Sequence, residues 1–528
     1  MSELDPKRQR FSRRIGWQIV LLLCIPSLPA QASGAVPADS DHVQRSLERM
    51  SAGDLEEAEK EAKLALRDSS TRSMGWATLG AIRIRQKRYT DAAECLNTAL
   101  RLSPGLVGAR IHLGEVYALT GRRTEAREAF KTILRADPNN PDAHFALAKL
   151  EGNSGNYSAS LSAAEPILAE LRHTQDGILL LAKDYAGLKQ KDSLLALVND
   201  WNALPEAPAD ASTAFASVLT KSSLHQQALD VLEKAKSSGA VSYDMALALG
   251  NLYFLKGDLN GAFESYEAAL SLNPGCADCL LDLAKIASQQ KDPEKALAYL
   301  IKAKSKQPEN AEILFEFGKA CLELDLPDDA LPALEKASRL QPHNDSYSYV
   351  LGSANVSKKQ YEAAGKLFQA LLAKHPNDPV LNYAMGSLLF LEVRLTEAAK
   401  YLQRSIELQP DQTVAYYYMG LVSEGTGEND HAIATLRDLL RRDPDYALAY
   451  EALGRILVKE KQYAEAQQML EKAVVLNPES VKAHYQLGIL WGRAGRQDDA
   501  NKEFEIVKQL NAEEEKRLGM RLRILTPH

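Results

Sequence analysis

Cys276-Ala277-Asp278-Cys279 has residue types and spacing that match a known chemistry. Two thiols three positions apart at the start of a helical pattern favour a lowered thiol pKa, and with it dithiol reactivity or a local disulfide. The surroundings of such chemistry are missing from the sequence. No βαβ pattern encloses the pair, and no second CxxC or HxxxH completes a zinc site. Small residues are ordinary where a loop runs into a helix. The pair therefore reads first as structural, next as a local disulfide, and only remotely as a thiol oxidoreductase. Cys321 and Cys95 read as small core fillers. The ten histidines are scattered, with His343 and His375 in loops and His112 and His144 on separate helices. There is no HExxH, no Ser-His-Asp order at a strand–turn–helix, and no glycine-rich phosphate loop. The expectation is no catalytic residue, no metal and no cofactor.

The elements that carry these residues are set by a period. Pro104 and Pro138 are 34 residues apart, and so are the successive members of Pro274, Pro308, Pro342, Pro376, Pro410, Pro444 and Pro478. A period of this length marks stacked supersecondary units rather than one globular core. With the proline at position 32 of a unit, position 8 is small in all fourteen units, as in Gly80, Gly318, Gly386 and Gly488. Position 20 is alanine in twelve of the fourteen, with Ser160 and Leu194 as the exceptions. Apolar residues at 4, 7 and 11, then at 20, 24 and 27, lay one stripe on each of two helices. Small residues at 8 and 20 let the two axes approach closely. Polar turns separate the helices, as in Lys256-Gly257-Asp258, and the proline ends the second helix because it lacks an N–H.

This pattern resembles the tetratricopeptide repeat (TPR) family. The unit at 73–106 shows its signature in Trp76, Leu79, Gly80, Tyr89, Ala92, Leu96, Ala99 and Pro104. The unit at 243–276 shows it in Leu249, Gly250, Tyr253, Gly257, Ala262, Tyr266, Ala269 and Pro274. The resemblance covers residues 39–514 and implies an all-α fold, a right-handed superhelical solenoid of stacked antiparallel helix pairs. Such a scaffold hosts many functions, so it points to binding in general. In this family the first helices line the concave groove through positions 2, 5, 6, 9, 12 and 13. Position 5 supplies Phe315, Tyr349, Tyr383 and Tyr417, with Tyr418 and Phe390 nearby, while Lys285 and Lys319 fall at position 9. Tyrosine offers a large apolar area plus a hydroxyl at low entropy cost. The three tyrosines one period apart are expected to form a ladder for a peptide, although tyrosine at position 5 is itself common in the family. Position 9 has a single asparagine, Asn251, which argues against the family's lysine- and asparagine-based clamp for acidic chaperone tails.

The ends complete the reading. Lys7, Arg8, Arg10, Arg13 and Arg14 precede an apolar run from Ile19 to Ile25, and Ala30-Gln31-Ala32 is a small-x-small site. This is the layout of a signal peptide cleaved after Ala32, which places the mature chain in the periplasm or outside the cell. The alternative is an uncleaved inner-membrane anchor on an adaptor that recruits partners, the only case with membrane contact. Leu23 before Cys24 argues against a lipoprotein site. Removing residues 1–32 takes away five basic and two acidic groups, so the net charge goes from −7 to −10. An acidic mature chain disfavours nucleic acid as a partner.

The expected division is signal peptide 1–32, linker 33–38, a first array 39–174, a degenerate joint 175–242, a second array 243–514 and a capping tail 515–528. Just before the joint Arg172 stands where proline is expected; within it Leu194 replaces alanine, and Trp201 to Pro208 reads as a loop. Sequence drift under retained packing is one account of it, and a hinge between two binding arms the other. The remainder outside the units is too short for a catalytic domain. The function expected is a non-enzymatic scaffold that binds an extended peptide or partner protein, with no small-molecule substrate.

Overall fold

A computed structural model describes residues 40–205, 207–239 and 241–525, and among them every regular element is helical. The expected signal peptide and linker, Cys24 included, lie outside the described residues. No described helix is long and apolar enough to cross a membrane. The chain is a solenoid of stacked helix pairs, in two compact bodies that divide at Ser265 and Tyr266.

One pair shows how a unit is made. Pro379–Leu391 is the first helix and Leu395–Leu408 the second. The Asp378 carboxylate caps the first helix by accepting from the amides of Val380 and Leu381 at 2.8 and 3.0 Å. The second helix stops at Leu408, two residues before Pro410, and Gln409 takes φ −140° and ψ 86° because a residue before proline is driven out of the helical region. Every regular unit repeats this offset, from Leu102 before Pro104 to Leu476 before Pro478.

The small residue at position 8 has a steric cause. A Cβ built on Gly386 would fall 2.7 Å from Leu402 Cγ, and one on Gly114 or Gly352 would fall 2.4 Å from a ring atom of Phe130 or Phe368. The partner is always position 24 of the same unit, so each first helix is clasped by its own second helix. The alanines at position 20, such as Ala92, Ala296 and Ala398, are wholly buried in the same crossing.

Position 15 carries a feature that the sequence pattern does not announce. In all fourteen units it has positive φ. Six of these residues are glycine, and the others are Lys87, Lys189, Ser223, Lys291, Asp325, Lys359, Val393 and Lys461, with φ between 55° and 62°. A left-handed residue there reverses the chain between the two helices.

In the first body the units at 175–242 are helix pairs like the rest, Gln175–Gly187 with Lys191–Ala203 and Ala209–Lys221 with His225–Ser238. One continuous apolar core runs from Ala148 to Leu252 through them. Trp201, 3% exposed, stacks on Phe215 at 4.7 Å between ring centroids and fills the room left by the irregular helix end. Pro166 breaks the preceding second helix into Tyr157–Ala164, a 3-10 turn and Leu168–Leu171. In the second body the last helix, Gln497–Leu525, runs on through most of the expected tail and comes against Pro293–Lys306.

Candidate functional site

The candidate groove residues sit on consecutive first helices of the second body: Ala277–Gln289, Ala311–Glu323, Asp345–Ser357, Pro379–Leu391, Thr413–Gly425 and Ala447–Lys459. Side-chain contacts pass along this row from helix to helix. Lys285 Nζ donates to Glu312 Oε1 at 2.7 Å, Phe315 stacks on Tyr347 at 4.3 Å, and Arg455 pairs with Glu424 on the preceding first helix. The contacts join different positions of neighbouring first helices, 9 to 2, 5 to 3 and 12 to 9, so these side chains meet between successive helices.

At the middle of this face the rings form a cluster. Tyr418 meets Tyr383 at 5.6 Å, Phe390 at 5.7 Å and Tyr417 at 5.5 Å, each close to edge-on, the arrangement that aromatic quadrupoles favour. Tyr417 also meets Tyr446 at 5.7 Å. The three evenly spaced tyrosines do not stack on one another among the described residues. Tyr418 bridges Tyr383 and Tyr417, and Tyr349 tilts over Phe368 of its own unit at 5.9 Å. All of these groove tyrosines are half-buried, one side set in the core and one edge toward solvent. Burial pushes the Tyr417 phenol up to about 12 and raises Tyr349, Tyr383 and Tyr446 as well. The hydroxyls are thus neutral donors, suited to a peptide carbonyl.

Tyr446 and Tyr347 were not expected here. Tyr446 caps Ala447–Lys459 from the last position of the preceding unit, and Tyr347 lies at position 3, so neither falls on a groove position. The signal that points to Tyr446 is its place at a helix start, where a side chain leans toward the preceding first helix.

The two lysines are committed to carboxylates. Lys285 pairs with Glu312 and reaches Asp282 at 3.6 Å; burial works against its charge, yet the Glu312 contact leaves its pKa raised. Lys319 pairs with Glu316 at 2.9 Å and lies 5.5 Å from the Phe315 ring centre. Cys276 and Cys279 are joined in a disulfide with Cα atoms 5.3 Å apart, both sulfurs buried at the start of Ala277–Gln289. Cys276 Sγ also accepts from the Cys279 amide at 2.9 Å, so the pair caps the helix in the place a serine or asparagine takes elsewhere. Burial pushes the Cys321 thiol up to about 12, which leaves it protonated and unreactive. Among the described residues no group of three or more His, Cys, Asp and Glu is placed to hold a metal ion.

Among curated proteins none matches this chain in sequence. Solved structures similar to it include a tetratricopeptide repeat protein from Parabacteroides merdae, with 20% identity over 47% of this chain and 98% of that one and a TM-score of 0.43. Yeast Tom70 is similar with 16% identity over 86% of this chain and 100% of that one, TM-score 0.35. The APC/C hetero-tetramer Cut9-Hcn1 is similar with 16% identity over 86% and 90%, TM-score 0.39. Two family models described as Tetratricopeptide repeat match, one at residues 83–150 and 253–314, the other at 315–379, 417–466 and 451–509. Those matches span more than half of a chain whose period, small-residue clasp and proline-ended second helices all agree with them, and the chain belongs to the tetratricopeptide repeat family.

Proposed function

We propose that this chain is a non-enzymatic interaction scaffold that holds an extended segment of a partner protein against the first helices of its second body. The observation that carries the reading is the half-buried cluster of Tyr383, Phe390, Tyr417 and Tyr418 on two adjacent first helices with Tyr446 at the start of the next. Large rings already ordered by their neighbours lose little entropy on contact, which is why such residues dominate interface energetics. Exposed apolar side chains occupy groove positions of the same helices: Val380, Leu391 and Leu448 are 41, 39 and 44% exposed. Exposed apolar side chains gathered on neighbouring helices suit a protein partner.

The leader supports export to the bacterial envelope, through its basic start, its short apolar run and the Ala30-Gln31-Ala32 site. A scaffold in that compartment would gather or position envelope proteins.

The test is retention of binding partners by the chain against a Tyr383→Ala, Tyr417→Ala variant, with helix content followed by circular dichroism. The variant is expected to keep its fold and lose about tenfold or more in affinity, since two interface tyrosines each contribute roughly 1–2 kcal/mol. Equal retention by a folded variant would remove the cluster from the binding site.

A further inference from the structure

The face that carries the aromatic cluster is electrically polar along its length. At its N-terminal end the groove positions of the first two helices present Asp278, Asp282, Glu312, Glu316 and Glu323 against Lys285 and Lys319. Both lysines are engaged by these same carboxylates, while exposed Asp278 and Glu323 have no cation in ion-pair range among the described residues. At the C-terminal end the balance reverses. Counting the next first helix, Val481–Arg493, the residues Arg455, Lys459, Lys482 and Arg493 outnumber Glu424 and Glu451, and the Glu424 carboxylate is shared by Arg455 and Lys459. Lys482 and Arg493 are exposed and have no carboxylate in ion-pair range among the described residues.

Between these ends the charge disappears. In the units that begin at 345 and 379 every groove position is uncharged, as in Ser346, Ser353, Val380, Tyr383, Ser387 and Leu391. A solvent face without charge is unusual on a chain in which 25% of residues are Asp, Glu, Lys or Arg. The same stretch holds a second anomaly. Val393 is the one apolar residue among the fourteen left-handed turn positions, a β-branched side chain at φ 61° that is 76% exposed beside Leu391. The conformation is the one every unit's turn takes, but here it leaves a branched apolar side chain in solvent beside the uncharged face.

We propose that these three stretches form one binding face for an extended protein segment of matching polarity. Lys or Arg side chains of the segment lie over the end bearing Asp278 to Glu323, and Asp or Glu side chains lie over the end bearing Arg455 to Arg493. Between them, roughly eight apolar residues cover the uncharged face, given helix spacings of about 8–10 Å and about 3.3 Å per extended residue. The inference rests on the groove reading above and adds the chemistry of the partner. Opposite charges at the two ends fix the segment's direction, which an apolar face alone cannot do.

A displayed library of random peptides, selected on the full chain, tests this. Enriched sequences are expected to carry Lys or Arg on one side of an apolar stretch and Asp or Glu on the other. A synthetic winner is expected to bind about tenfold more weakly to a Glu312→Lys, Glu316→Lys variant and to an Arg455→Glu, Lys459→Glu variant. Charge reversal in the peptide, measured on the unaltered chain, is expected to give the same loss and needs no protein variant to fold. Enriched peptides without charge asymmetry, bound equally by both variants but weakened by Tyr383→Ala, Tyr417→Ala, overturn the polarity and leave the groove reading intact. No enrichment at all overturns both.

Discussion

Val393 pairs a stiff, branched side chain with a backbone conformation that suits glycine, and it buries little in return. A left-handed non-glycine residue costs about 1–2 kcal/mol, and glycine loses about 0.5–1 kcal/mol of backbone entropy on folding. Val393→Gly is therefore expected to stabilise the second body by about 1 kcal/mol, read as a rise in the denaturant midpoint at unchanged slope. A lower midpoint would mean that Val393 packs more tightly than its exposure indicates. The recurrence of positive φ at this position was legible only where glycine marks it, as at Gly257 and Gly427. Elsewhere lysine, serine and aspartate hold the same conformation, because the clasp between the two helices dictates the turn and overrides the residue's own preference.

In the first body the helix Gln175–Gly187 buries a carboxylate. Asp184 is wholly inaccessible, and its Oδ1 has no partner among the described residues. The Ser160 hydroxyl lies 2.5 Å from Asp184 Oδ2 and 2.7 Å from the Ala148 carbonyl oxygen. One hydroxyl proton cannot serve both acceptors at once, and Oδ1 has no donor, so the buried group is poorly satisfied as an anion. Burial accordingly raises the Asp184 carboxyl from 3.8 to about 6, with the Ser160 contact and Lys183 working the other way. The folded state then holds this proton more tightly than the unfolded chain. The group's contribution is full below about pH 4 and is lost as the pH rises through about 6. Asp184→Asn is expected to raise Tm at about pH 8 and to flatten the Tm difference between about pH 5 and pH 8, followed by calorimetry. An unchanged difference would assign the pH dependence to other groups. Nothing in the sequence pointed here. Ser160 showed only as a departure from alanine, and Asp184 as one more acid on an acidic chain. The joint showed in the sequence as missing prolines and an expected loop from Trp201; residues Trp201 to Ala203 instead end the helix Lys191–Ala203, and the Trp201 ring stacks on Phe215 where that helix stops without its proline.

For the molecule as a whole, length and period were readable because the same steric rule acts in every unit, whereas the groove was readable in part. Tyr383, Tyr417, Tyr418 and Phe390 were named from their register, but their mutual packing depends on ring rotation and on Tyr446, which no register assigns. The proposed export rests on the leader's layout, and under it mass spectrometry of the chain recovered from the envelope is expected to find Ser33 at its N-terminus. A start before Ala30 would favour the anchored adaptor. The clasp between positions 8 and 24 has one more consequence. It closes within a single unit at each of Gly80, Gly114, Gly318, Gly352, Gly386, Gly420, Gly454 and Gly488. Excision of one complete turn of the pattern, such as 345–378, would leave every other clasp whole, while loss of even a few residues would rotate a small side chain out from under its large partner. The array is free to grow or shrink by duplication and deletion, but only in indivisible steps.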